Sequence, residues 1–206
     1  MFRNKTLIIG GGYNMKDVRL FDEIDKVIVS ELQKDARISL VSIGKKVGIS
    51  HVAVRKRLDN LLRDDLLKVS AGINAEALGG RIAVITVEVE NYSRLRELIE
   101  LFQHCPRVIF LFSLSASNLM AAFFGENLST LESTIGACSL RVHKGVRRSD
   151  VQIGEAPAYP KFLPLRVQTK RDEETAPCGI SCASCERFES KKCFGCPATK
   201  FYNGPL

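Results

Sequence analysis

The stretch from Val47 to Leu61 constrains this chain more than any other. Gly48 suits the left-handed backbone that ends a helix. Ser50 follows in the place of an N-cap for the next one. Val54, Leu58 and Leu61 recur at helical spacing and give that helix an apolar back. Val52, Arg55, Lys56, Asp59 and Arg63 fall on the opposite side. A helix with an apolar back and a basic front, set two residues after a glycine turn, is shaped for the DNA major groove.

The surrounding periodicity extends this into three helices. The first spans 20–34, with Phe21, Ile24, Val27, Ile28 and Leu32 as its apolar stripe. The second runs from after Ser39 to Val47 and buries Leu40, Ile43 and Val47. The third covers 50–63. Residues 66–73 then alternate as a strand or hinge. From 81 to 155 the pattern reads βαββαβ: strands over 82–89, 107–114, 119–124 and 141–153, with helices over 92–103 and 128–138. Two helices on one face of a four-stranded antiparallel sheet is the ferredoxin-like plan. The fold class is therefore α+β. The predicted segments are a flexible leader (1–19), a helix-turn-helix domain (20–66), a hinge strand (67–79), a ferredoxin-like domain (80–155), a proline-bearing linker (156–176) and a Cys-rich module (177–206). Met15 is an alternative start to Met1.

Charge separates these parts. The net charge is +7, distributed as +5 over residues 1–75, −1 over 76–155 and +3 over 156–206. A polyanionic partner such as double-stranded DNA belongs with the N-terminal part. No signal peptide or membrane-spanning run is visible, so a soluble, cytoplasmic protein is expected. Five of the seven cysteines crowd into 178–196. In a cytosolic chain this suggests metal before disulfide. Cys182-x2-Cys185 and Cys193-x2-Cys196 have the spacing of a tetrahedral thiolate site, and Cys178 is a fifth candidate ligand. Zinc is the expected cofactor, with an iron–sulfur cluster as the alternative. Cys105 and Cys138 sit at apolar helix positions, where buried inert thiols are the default.

From Leu20 to Gly154 the chain resembles the Lrp/AsnC family of prokaryotic transcription regulators. The resemblance rests on Leu20-Phe21-Asp22-Glu23-Ile24-Asp25, on Leu32-Gln33-Lys34-Asp35-Ala36-Arg37-Ile38-Ser39, on the helix-turn-helix, and on Asn74-Ala75-Glu76-Ala77-Leu78-Gly79. It implies a winged helix-turn-helix, a hinge strand, and a ferredoxin-like domain that dimerises, often builds octamers, and can bind amino acids between dimers. Asp65 stands where the family has glycine, and Gly44 where it has a small helical residue. Ser115-Ala116-Ser117-Asn118 replaces the glycine-bearing effector loop.

The candidate DNA-binding residues are Ser39, Lys45, Ser50, His51, Val52, Arg55 and Lys56. Arg can grip guanine bidentately, Lys neutralises phosphate, and Val52 suits a thymine methyl. Arg57, nearer the buried flank, is expected to pair with an acid of the first helix. Ser115, Ser117 and Asn118 are the candidate effector-binding residues. His104 and His143 are expected at the surface or in packing. The function expected is a sequence-specific DNA-binding regulator, not an enzyme, tuned by a small effector or by the metal or redox state of the tail. The alternatives are a sirohaem-decarboxylase-like enzyme and a metal- or redox-sensing interaction module.

Overall fold

In a computed structural model, residues 21–155 and 157–206 are described. The leader at 1–19 and Leu20 lie outside them. The chain divides into two units, one ending at Ser70 and the other running from Ala71 to Leu206.

The first unit holds α1 (Glu23–Lys34), α2 (Leu40–Val47) and α3 (His51–Arg63). Each opens on a side-chain cap, as local chemistry dictates. Asp22 accepts from the Asp25 N–H, Ser39 from Ser42 and Ser50 from Ala53. Gly48 closes α2 in left-handed backbone at φ 72°. Gly44 lies so close to the turn that a Cβ there would meet the Ile49 carbonyl at 2.6 Å. Ile28, Ile43 and Val54 form the shared core, with Ile24, Leu32 and Val47 against it. Phe21 and Val27, expected in the stripe of α1, are instead exposed. No strand follows α3 before Ile73–Asn74, so the three helices have no wing strand next to them among the described residues.

The second unit opens with β1 (Ile73–Asn74), all that forms of the expected hinge strand. It continues with β2 (Arg81–Val89), α4 (Tyr92–Phe102), β3 (Val108–Ser113), β4 (Asn118–Gly125), α5 (Leu128–Ala137) and β5 (Val146–Gly154). The order β3-β4-β2-β5, all antiparallel, is the ferredoxin-like arrangement. The last strand starts later than its hydrophobicity suggested, because Leu140–Val142 make a 3₁₀ turn. Ala83, Ile85, Val87 and Val89 alternate inward beneath Leu95, Leu98, Phe102 and Leu131. The other sheet face leaves Phe110 and Phe112 exposed.

The tail does not trail from this domain. In the stretch expected to be a linker, β6 (Phe162–Leu163) pairs antiparallel with β1. Leu163 and Leu165 are buried there with Ala75 and Phe124. Ala176 and Cys178 join the core beneath the sheet, and α6 (Glu186–Glu189) lies beyond them.

Candidate nucleic-acid interface

Burial divides α3 as its periodicity predicted. Val54 and Leu61 are fully buried. His51, Val52, Arg55, Lys56 and Asp59 are exposed, Val52 at 62%. Ser39, Lys45 and Ser50 are exposed nearby on α2 and the two caps. Ser39 and Ser50 each commit a hydroxyl to capping, and Ser39 also bonds the Ser42 hydroxyl at 2.8 Å.

The cations of this unit fall into two groups. Arg57 bonds Asp25 at 2.9 Å and Asp22 at 2.5 Å, the expected link to the first helix. Those carboxylates, Asp22 first, hold the guanidinium above its ordinary pKa. Asp22 is held low in turn, first by the Asp25 N–H and then by Arg57. Glu31 binds Lys34 at 2.9 Å and also Lys46 of α2, which lowers its pKa. Arg63 meets Asp64. By contrast, Lys45, Arg55 and Lys56 are in no ion pair among the described residues. Arg57 and Lys46 link helices, while Lys45, Arg55 and Lys56 stand exposed on α2 and α3.

The candidate effector turn is self-contained. Asn118 donates to the Ser115 and Ser117 hydroxyls at 2.9 and 3.4 Å, and the Ser117 N–H reaches Ser115 Oγ at 3.3 Å. His143 packs edge-on against Phe102, with ring centroids 5.1 Å apart, and its Nε2 is buried without a partner. Burial, then the Arg94 charge, lowers its pKa.

The five tail cysteines are brought together, and the structure adds two that the sequence reading had set aside. All seven line one cavity of about 40 Å³ against the end of α5. All are free thiols. Burial pushes Cys105 up to about 11 and Cys196 up to about 12. As the side chains stand, no group of three or more His, Cys, Asp or Glu among the described residues could hold a metal ion. Beside the cavity, Arg107 bonds Glu126 at 2.6 Å and donates to the Gly195 carbonyl at 2.6 Å. Burial opposes the Arg107 charge, but the Glu126 carboxylate outweighs it and raises the pKa. Tyr202 donates to the other Glu126 oxygen at 2.7 Å. Neither Arg107 nor Glu126 carries a hydrophobic or motif signal that could have announced this pairing across the chain.

A basic helix-turn-helix joined to a ferredoxin-like sheet defines a class of transcription regulator. Residues 21–62 match the AsnC-type helix-turn-helix domain. The regulator LrpA of Pyrococcus horikoshii is 33% identical over 119 residues, covering 55% of this chain and 84% of LrpA. An uncharacterized HTH-type regulator of Pyrococcus abyssi is 38% identical over 69 residues, which are 34% of this chain and 44% of that relative. The chain thus spans under half the length of the first curated relatives it matches. Escherichia coli AsnC superposes with a TM-score of 0.58 at 12% identity, covering 66% of this chain and 93% of AsnC. The chain belongs to the Lrp/AsnC family of HTH-type transcriptional regulators. Its named relatives are regulators, not enzymes.

Proposed function

We propose that this protein binds promoter DNA in the cytoplasm as a homodimer or larger assembly, with one α3 per subunit in the major groove. The observation that carries this reading is the set of unpaired cations: Lys45, Arg55 and Lys56 stand exposed while their neighbours are in ion pairs. Ser39 and Ser50 present helix N-termini to phosphates, and His51 and Val52 reach base edges with Arg55. A second copy supplies the second half-site, about one helical turn away. The exposed sheet face with Phe110 and Phe112 is apolar enough to receive that copy. Octamers would add further contacts to this dimer. A small effector acting at Ser115, Ser117 and Asn118 would have to replace their mutual hydrogen bonds. The tail is a metal-binding module, and its two C-x2-C pairs suit zinc.

Binding to the DNA upstream of the protein's own coding sequence tests the reading. Affinity should fall steeply with salt, by about 0.9 in log–log slope per phosphate neutralised. Arg55→Ala should cost about 1–3 kcal/mol and relax sequence preference, while Lys56→Ala should weaken all sequences and reduce the slope by about 1. Absent or salt-insensitive binding by the folded wild type would overturn it.

A further inference from the structure

The tail cysteines were expected to form a module of their own. Instead they close over the end of the ferredoxin-like domain, where two of its own thiols point into the same space. Cys105 lies between α4 and β3, and Cys138 caps the C-terminus of α5. The tail is fastened to α5 and to the residue before β3. The Lys192 carbonyl accepts from Ser129 at 2.8 Å and from Ser133 at 3.2 Å. The Phe194 N–H reaches the Thr130 hydroxyl at 3.3 Å, and Arg107 holds the Gly195 carbonyl. Thus Cys193 and Cys196 flank a segment bonded directly to α5 and to Arg107, just before β3. The Cys182–Cys185 turn closes with a 3.2 Å backbone bond.

Two domain thiols, Cys105 and Cys138, thus line the same cavity as the tail thiols Cys178 and Cys196. Cys182, Cys185 and Cys193 line the remaining wall.

We propose that the protein holds a thiolate-bound metal centre at this seam, with Cys105 and Cys138 of the ferredoxin-like domain in the ligand shell beside the tail cysteines. The inference rests on the metal-binding reading of the tail and changes which residues do the binding. Thiolate-rich tetrahedral shells select zinc or iron–sulfur chemistry. A 40 Å³ space has room for water-sized occupants, but a buried water needs two to four polar partners. Thiols offer a soft cation far better ligation than they offer water. Coordination would need χ1 rotations that bring sulfurs inward, and each coordinating thiol would release its proton to solvent as the ion binds. Because the ligands come from both sides, the metal also fixes the tail to α5. Loss of the metal would loosen the regulator's second unit, not merely a peripheral appendage.

The test uses the full chain, purified anaerobically, with metal analysis and titration of the metal-free protein with Co²⁺. Wild type should contain bound zinc or iron and give thiolate-to-cobalt charge-transfer absorption. Cys105→Ala and Cys138→Ala should each weaken Co²⁺ binding at least tenfold or reduce that absorption. Metal binding left unchanged by both variants would overturn the shared shell while leaving a tail-only metal site standing. No metal in wild type and no Co²⁺ binding would overturn both readings. If a variant's metal-free form lacks the wild-type circular dichroism, thiol alkylation rates of the wild type decide. A fall at Cys105 and Cys138 on adding metal supports the proposal, and a fall confined to the tail cysteines overturns it.

Discussion

The first unit keeps its cations in reach of water even where they pair with the buried carboxylates Asp25 and Glu31, whereas the second buries both members of one ion pair. Around α3, paired and unpaired cations stand side by side, and water reaches both. In the second unit, Arg107 and Glu126 are 4% and 0% exposed and join β3, β4 and the tail. Surface pairs contribute little to stability and are easily exchanged for phosphates. A buried pair gains little over apolar packing but is costly to break, because the partner left behind is still buried. The first arrangement leaves a surface free to bind, and the second holds an architecture in register.

Removing one half of the buried pair should have the largest effect. Glu126→Gln should destabilise the second unit by about 3–5 kcal/mol in urea unfolding, by leaving Arg107 uncompensated. Glu31→Gln, which frees Lys34 and Lys46 at the surface of the first unit, should shift unfolding far less. Equal effects would erase the contrast between the units.

A smaller effect should come from pH. His143 has a folded pKa below its ordinary 6.5, so its folded form resists protonation. As pH falls below about 6.5, the unfolded chain takes up the proton first, and stability declines toward the lowered folded value. Urea midpoints measured from pH 7.5 to 5 should show this loss, and His143→Asn should flatten it. An unchanged profile in that variant would remove His143 from the account.

The smallest effect belongs to the first unit. Asp65 sits at φ 57° just after α3, where a side chain is strained. Asp65→Gly should stabilise by about 0.5 kcal/mol, the left-handed cost less the entropy that glycine adds to the unfolded chain. Thermal unfolding checks this, and DNA affinity should not change.

The helix-turn-helix was legible because its signals are local. Gly48, Ser39 and Ser50 act within three or four residues of themselves, and the apolar back of α3 repeats at a fixed period. The antiparallel sheet was legible for the same reason, since alternation marks each strand. The Arg57 link could be read because the arginine falls on the flank of an amphipathic helix. What escaped was non-local. Phe21 and Val27 have the spacing of core residues but are exposed. The proline-bearing stretch gave no sign that Phe162 and Leu163 would pair with β1. Cys105 and Cys138 looked inert because their cavity is built by a segment forty to ninety residues further on.

The clasp between Arg107 and the tail also sets an order of events during synthesis. Arg107 and Gly195 are 88 residues apart. At about 5–20 residues per second, the guanidinium waits roughly 4–18 s for that carbonyl. Tyr202 reaches Glu126 later still. The helix-turn-helix can close while this wait is in progress, but the sheet domain cannot seal that end until the tail has left the ribosome. A nascent chain arrested before Gly195 would thus carry a finished DNA-binding head on a body with an open end. Such a product is a ready target for quality-control proteases.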